Sequence, residues 1–128
     1  DFAERARANV RSFLGEAVLD RYRVEVRDVY EGIDERDLDR IVLDLPEPWR
    51  VVKHAQEALH PGGLLLAYLP SVVQVMQLRE TLDGSGFGMA ETLEVLHRTW
   101  HVEGNAVRPD HRMVAHTGFL TVARFLGD

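Results

Sequence analysis

The spacing of apolar residues changes along the chain and predicts an alternation of helices and strands. Apolar positions recur every third or fourth residue in three segments that are predicted helices: residues 2–14, 48–60 and 71–82. Alternating or continuous apolar runs predict strands at residues 22–27, 40–45, 64–69, 91–102 and 117–126. This order is typical of an α/β domain with a mostly parallel sheet, and the last two strands are predicted to form an antiparallel pair at one side of it.

Local signals mark several of these boundaries. The first helix is expected to end at Gly15, and the second is expected to stop at the Pro61-Gly62-Gly63 turn. Ser71 and Gln74 have the spacing of a capping box at the start of the third helix. The apolar face predicted for the first helix consists of Phe2, Ala6, Val10, Phe13 and Leu14.

Composition narrows the class of protein. The chain has 128 residues, enough for one domain with a real core, and 45% of them are hydrophobic. It has no cysteine and no apolar run near the length of a membrane span, so we expect a cytoplasmic protein without disulfides. The net charge of −6 argues against strong nucleic-acid binding by the whole surface, although the acidic residues lie mostly upstream of residue 92.

The segment that follows the apolar run Ile41-Val42-Leu43 carries the clearest chemical signal. Asp44 would lie at the carboxyl end of a buried parallel strand, where open α/β sheets bind ligands. Pro46, Pro48 and Trp49 would form a rigid apolar wall beside this acid, suited to a flat purine. The same residues are also compatible with a strand and a capped turn in which Pro48 simply starts the next helix.

A glycine-rich loop between a strand and a helix, the usual cofactor cradle of this architecture, is not found in the sequence. Gly62-Gly63 follows a predicted helix, and Gly84-Ser85-Gly86 lies in a loop that leads into the last β pair. Because the chain also opens on a helix, we expect residues 1–128 to be a truncated domain that starts in the middle of the fold.

Six short segments, in order, resemble the carboxyl-terminal part of the tRNA (adenine-58-N1)-methyltransferase family. These are Asp1-Phe2-Ala3-Glu4-Arg5-Ala6-Arg7-Ala8-Asn9-Val10, Asp44-Leu45-Pro46-Glu47-Pro48-Trp49, Ala67-Tyr68-Leu69-Pro70-Ser71, Arg98-Thr99-Trp100-His101-Val102, Val107-Arg108-Pro109 and His116-Thr117-Gly118-Phe119-Leu120. The resemblance runs from residue 1 to about residue 126. It implies a partial class I, Rossmann-like methyltransferase fold without its first strand or strands, its glycine-rich loop and its amino-terminal β domain.

The resemblance also implies an activity, which belongs first to the parent protein. Family members use S-adenosylmethionine to methylate N1 of an adenine in tRNA, and they act as homo-oligomers. We expect the isolated chain to be inactive, because the family carries half of the cofactor site upstream of the matching region. Two alternatives stay open: a class I methyltransferase with another substrate, and a non-catalytic assembly or binding subunit.

Site residues follow from the resemblance position by position. Asp44 corresponds to the acid near the methionine end of the cofactor and the target adenine, with Leu45 beside it, and Tyr68 to the aromatic residue that shapes the same pocket. The resemblance implies that Asp28 and Val29 contact the adenine ring of the cofactor. It places Pro46, Pro48, Trp49, His116 and Thr117 on the substrate side. The alternative role of Tyr68 is that of a core aromatic whose hydroxyl finds a partner at the sheet edge, and that of Trp49 is a hydrophobic anchor for the helix that it precedes.

The histidines raise the question of a metal site. His97 and His101 would point to one face of a predicted strand, with His111 and His116 downstream, but this spacing matches no zinc signature and we expect no metal site. Five basic side chains lie in or near the predicted β pair: Arg98, His101, Arg108, His111 and Arg112. They could form part of a surface that faces RNA, or they could be a solvated rim of the β pair, and both interpretations stay open.

Overall fold

The computed structural model describes residues 1–127 and divides the chain into two compact units, Asp1–Glu31 and a second that begins at Gly32. The first unit contains helix α1, Phe2–Leu14, and a 3₁₀ helix, Glu16–Arg21. The Asp1 carboxylate caps α1 by accepting a hydrogen bond from the Ala3 amide at 3.0 Å, and the helix ends at Gly15, as predicted.

One expectation for the first unit is wrong, and the predicted apolar face of its helix is largely exposed. Residues 22–27 form no strand, because among the described residues no second strand hydrogen-bonds to them; Tyr22 has extended backbone angles nevertheless. The apolar residues predicted to share one face of α1 do lie in this helix, but Phe2 and Phe13 are more than four-fifths exposed, and Ala3 is the only buried residue of α1. So short a unit has too few residues to cover an apolar helix face by itself.

The second unit is built on a four-stranded sheet with strand order β1-β2-β6-β3. Its strands are β1 (Leu38–Leu43), β2 (Leu59–Leu69), β3 (Phe87–Glu94) and β6 (Phe119–Phe125). Strands β1 and β2 are parallel, whereas β6 is antiparallel to both β2 and β3. The α/β class is confirmed, and the parallel part of the described sheet consists of β1 and β2.

Helices connect the parallel strands and cover one face of the sheet. A 3₁₀ turn, Pro48–Val51, runs into α2 (Val52–Ala58), and α3 (Val72–Leu82) follows β2. Both helices contact the sheet, and the core between them holds a group of fully buried side chains: Pro48, Val51, Val52, Leu65, Leu69, Leu78 and Thr121. The second helix ends two residues earlier than predicted, because β2 already begins at Leu59.

The predicted strand at residues 91–102 is two separate elements. Strand β3 ends at Glu94, which lies opposite Phe119 at the start of β6, so the following residues have no partner in the sheet. They cross instead to a hairpin of β4 (Trp100–Glu103) and β5 (Ala106–Pro109). The predicted strand at 117–126 is confirmed as β6, within two residues at its start.

Candidate active site

A small cavity opens where the two parallel strands end. Leu43 at the end of β1 is paired with Ala67 of β2, so Asp44 and Tyr68 follow as neighbours at the carboxyl edge of the sheet. The cavity has a volume of about 250 Å³. Its walls are Asp44, Leu45, Pro46, Tyr68, Pro70 and Gln74. The sequence predicted four of these residues as site residues, and the structure brings the four together.

The Asp44 carboxylate is exposed at the mouth of this cavity. Within residues 1–127 it forms neither a hydrogen bond nor an ion pair, so both oxygens are available to a ligand. Neighbouring Leu45 and Pro46 make the adjoining wall apolar. An unpaired carboxylate beside an apolar wall suits a planar ligand that carries a hydrogen-bond donor or a positive charge.

Tyr68 is held by the backbone behind its ring. Its side chain is 42% exposed, and its hydroxyl has no hydrogen-bond partner in the described part of the chain. A methyl group on Gly118 would lie only 1.9 Å from ring atom Cε2 and 2.5 Å from the hydroxyl oxygen. The ring therefore packs against the bare backbone of Gly118, with the hydroxyl left free beside the cavity.

Two further residues support the cavity, and the sequence assigned neither to the site. The Gln74 side chain donates a hydrogen bond to the Pro46 carbonyl oxygen at 3.0 Å, which ties α3 to the loop after β1. The capping-box prediction is correct for Ser71, which accepts a hydrogen bond from the Val73 amide at 3.3 Å. Gln74 instead reaches across to Pro46, a partner that its spacing from Ser71 could not reveal. Pro70, the second missed residue, directly follows β2.

Pro48 and Trp49 lie behind the loop that carries Pro46. Pro48 is fully buried at the first position of the 3₁₀ turn, and Trp49 is half-buried. Neither lines the cavity beside Asp44. Their local role is to start the turn and anchor it to the core; direct contact with a substrate stays a prediction.

Asp28 and Val29 belong to the first unit. The Asp28 carboxylate accepts a hydrogen bond from the Tyr30 amide at 2.9 Å, and the Glu31 amide donates to the Asp28 carbonyl at 3.1 Å. Asp28 therefore stabilises a tight turn. The contact of these two residues with the adenine ring of a cofactor stays a prediction.

His116 and Thr117 line a second, larger cavity of about 370 Å³ beside the β4–β5 hairpin. They directly precede Gly118, so the two cavities are separated by the packed pair of Gly118 and Tyr68. Their predicted role on the substrate side is a matter for experiment.

The expected strand face of His97 and His101 does not exist, because only His101 lies in a strand. Among residues 1–127, no group of three or more histidine, aspartate or glutamate side chains is arranged to hold a metal ion. No helix in the same residues has the length and apolar character that crossing a membrane requires.

Solved structures share this fold. An S-adenosylmethionine-dependent O-methyltransferase from Thermotoga maritima superposes with a TM-score of 0.85 and 33% identity, covering 99% of this chain and 47% of that one. The tRNA (m1A58) methyltransferase TrmI of Aquifex aeolicus gives a TM-score of 0.66 and 29% identity over 77% of this chain and 40% of its own. The fold and the acid at the end of β1 thus define an α/β protein of the methyltransferase class.

Sequence comparison identifies the family. Residues 1–108 match the family described as tRNA methyltransferase complex GCD14 subunit. A tRNA (adenine(57)-N(1)/adenine(58)-N(1))-methyltransferase TrmI of Methanocaldococcus jannaschii is 46% identical over 101 residues, 78% of this chain and 36% of the relative. A tRNA (adenine(58)-N(1))-methyltransferase TrmI of Thermus thermophilus is 35% identical over 120 residues, 93% of this chain and 46% of the relative. The chain belongs to this tRNA methyltransferase family, and it spans less than half the length of these relatives.

Proposed function

We propose that the protein carrying this chain methylates N1 of an adenine in tRNA, at position 58, with S-adenosylmethionine as methyl donor. One observation supports this proposal: in a chain of this family, an Asp44 carboxylate without a partner and the Tyr68 side chain line the same cavity at the carboxyl edge of β1 and β2. S-adenosylmethionine, when bound, supplies a methyl group on a positively charged sulfur. The unpaired carboxylate of Asp44 and the apolar side chain of Leu45 fit such a cationic group.

Asp44 has a specific task in this reaction. Adenine N1 lies beside the exocyclic N6 amino group, and a carboxylate can accept a hydrogen bond from that amino group. This contact orients N1 toward the methyl group, and the negative charge stabilises the positive charge that grows on the ring. After transfer, the carboxylate can help to remove a proton from the methylated ring.

Tyr68 and Pro46 shape the space for the base. Tyr68 offers an aromatic ring with a free hydroxyl, and Pro46 offers a flat apolar surface that Gln74 holds in place. These groups position the adenine and exclude water, which is the main requirement of an in-line methyl transfer.

The test is the variant Asp44→Ala in the protein as its gene encodes it, assayed for N1-methyladenine in a tRNA transcript by mass spectrometry. We expect kcat to fall by at least about 100-fold, the range seen when a group that stabilises developing charge is removed. The melting temperature should change little, because Asp44 is exposed and unpaired.

Asp83→Ala is the matched control, since Asp83 is another exposed acid, located just after α3. It should leave the rate unchanged. Normal turnover by Asp44→Ala would overturn the role of this residue and the proposed reaction centre.

The structural neighbour from Thermotoga maritima favours one other candidate. That neighbour is an O-methyltransferase, and it covers 99% of this chain. A methyltransferase that acts on a different acceptor is therefore the second candidate. Transfer of labelled methyl groups to tRNA, free adenosine and small hydroxyl compounds in parallel separates the two, because only the first proposal predicts tRNA as the best acceptor.

We also propose a cytoplasmic homo-oligomer as the working form of the protein. The family is described as a subunit of a tRNA methyltransferase complex, and relatives from Dictyostelium discoideum and Cryptococcus neoformans are named as catalytic subunits, which supports the association of chains in this proposal. A non-catalytic assembly subunit is the competing assignment. Retention of both Asp44 and Tyr68 at one cavity speaks against it.

A further inference from the structure

The second cavity is enclosed by the two segments that flank the β4–β5 hairpin. Residues 95–99 form one side and residues 110–117 the other, around a volume of about 370 Å³. Arg98 and Arg112 both line it, together with His97 and His116. Four side chains that can carry positive charge therefore surround one cavity of a protein whose net charge is −6.

The two guanidinium groups are available to a ligand. Within residues 1–127, neither Arg98 nor Arg112 takes part in an ion pair or a side-chain hydrogen bond. A guanidinium presents a planar set of N–H donors that matches a phosphate, and unpaired arginines on one cavity are the arrangement that binds such an anion.

Asp110, the acidic residue that lines this cavity, is hydrogen-bonded to Thr99. Its carboxylate accepts a hydrogen bond from the Thr99 hydroxyl, and its amide donates to the Thr99 carbonyl oxygen at 3.1 Å. This double link closes the base of the hairpin and fixes the two cavity walls to each other. The cavity therefore keeps an excess of positive charge: two arginines against one carboxylate.

The cavity lies next to the candidate reaction centre. His116 and Thr117 line it, the next residue, Gly118, packs under the Tyr68 ring, and Tyr68 shares its own cavity with Asp44. The packed pair of Gly118 and Tyr68 is thus the wall between the cavity of the two arginines and the cavity of Asp44.

We propose that this second cavity binds a backbone phosphate of the RNA substrate, beside the nucleotide whose adenine enters the cavity of Asp44 and Tyr68. This inference rests on the proposed function. RNA is the favoured source of the phosphate because the cavity is larger than one anion requires and because Val95, Met113 and Val114 add apolar surface for a ribose or base. Phosphate contacts fix the register of a nucleic acid without reading its sequence.

The experiment measures binding of a tRNA transcript, as a function of salt concentration, by the protein as its gene encodes it. Arg98→Gln and Arg112→Gln should each weaken binding about tenfold, the effect of losing one charge-assisted hydrogen bond. Each should also reduce the slope of log affinity against log salt by about 1, because one phosphate contact is lost. Binding of S-adenosylmethionine should be unchanged.

Arg40→Gln is the matched control. Arg40 is an exposed arginine on β1 that forms no ion pair or side-chain hydrogen bond among the described residues, and it does not line the cavity. Its variant should keep the salt slope of the parent. If both cavity variants behave like Arg40→Gln, the proposal is wrong.

Lysine variants and competition by inorganic phosphate test the proposal further. Arg98→Lys and Arg112→Lys keep the charge and should restore most of the salt slope, although not the full affinity, because an ammonium lacks the planar set of donors. A salt slope as low as that of the glutamine variants, in lysine variants that melt like the parent, would overturn the phosphate contact. Inorganic phosphate should compete with tRNA no better than chloride does at equal ionic strength. Saturable phosphate binding that tRNA does not displace would assign the cavity to a free anion and overturn the RNA proposal.

Failure of the proposed function gives a different pattern. If tRNA is not methylated but the glutamine variants still lower the affinity for tRNA and the salt slope, the phosphate site is supported and the proposed reaction is wrong. If both glutamine variants methylate tRNA with an unchanged KM, the proposed reaction is supported and the phosphate site is wrong.

Discussion

Gly118 controls the position of the candidate reaction-centre tyrosine, because its lack of a side chain gives the Tyr68 ring room. Any Cβ at this position would overlap the ring, at 1.9 Å from Cε2. The ring can escape only by rotating away from the cavity or by pushing β6 aside.

We therefore expect Gly118→Ala to lower methyl transfer by about tenfold or more, since small displacements of a positioning group are costly in such reactions. In a Tyr68→Ala background the same substitution should have almost no further effect, because the overlap is gone. A double-mutant cycle on kcat measures this coupling. Additive losses would show that Gly118 acts through the backbone and not through Tyr68.

At the scale of single residues, the sequence predicted the residues that line the cavity better than the residues that hold them in place. Asp44, Leu45, Pro46 and Tyr68 were all expected at one site. Asp44 and Pro46 were expected there from their position after a predicted strand, and Leu45 and Tyr68 from the family resemblance. Gln74 was missed, since its partner is the Pro46 carbonyl oxygen, 28 residues away in the chain. No local pattern reports which distant carbonyl a flexible amide will reach.

At the scale of elements, one histidine side chain links two neighbouring strands. At the start of β1 and β2, His60 joins the two strands: Nδ1 lies 2.7 Å from the Pro61 carbonyl oxygen and Nε2 lies 3.2 Å from the Asp39 carboxylate. Both partners only accept hydrogen bonds, so the arrangement favours the doubly protonated ring. These two hydrogen bonds, with smaller contributions from the charges of Asp39 and Asp37, raise the pKa of His60 above its usual value of 6.5.

This raised pKa predicts a pH dependence of stability. Because the folded state holds the proton more tightly than the unfolded chain, the contribution of His60 is complete below pH 6.5 and is lost as pH rises through the raised pKa. The free energy of unfolding of the parent minus that of His60→Gln should therefore shrink across this window.

Urea denaturation at several pH values measures this difference, and NMR titration of the His60 ring gives the pKa directly. Asp39→Asn is the control variant, because it removes the negative charge of one of the two acceptors and should lower the His60 pKa toward 6.5. A His60 pKa at or below that of an unstructured histidine would contradict the prediction.

Strand partners explain where the element predictions failed. Residues 22–27 have a strand-like pattern but no neighbouring strand among the described residues, and residues after Glu94 lose their partner where β6 begins. A single-sequence pattern reports the tendency to be extended, whereas a strand also needs an adjacent backbone. Helices α1 and α3 were predicted within a residue or so, because their hydrogen bonds are internal.

On the scale of the whole molecule, the second unit has one closed and one open sheet face. Residues 65, 67 and 69 of β2 point into the core under α2 and α3, whereas Tyr68 and, on β1, Val42 point the other way and are 42% and 69% exposed. Stability should therefore depend on the covered face, leaving the other face free for ligands at its edge.

Truncation of a core side chain tests this division. Leu78→Ala should destabilise the protein by about 2–5 kcal/mol, since Leu78 of α3 is 1% exposed and its loss leaves a cavity against the sheet. Val42→Ala removes an apolar side chain from the open face and should cost less than about 0.5 kcal/mol. Thermal and urea unfolding measure both; equal costs would show that the open face is packed in solution.

The sequence by itself determined the α/β class, the family, most of the helix and strand positions and four residues of the cavity, Asp44 among them, because periodicity and short motifs are properties of neighbouring residues. Only the tertiary structure decided that Gly118 makes room for Tyr68, that Gln74 supports Pro46 and that Arg98 and Arg112 share one cavity. These relations join residues that are distant in the chain. The pairing of β6 with β2 and β3, the hairpin between β3 and β6, and the contact of α3 with the loop after β1 bring them together.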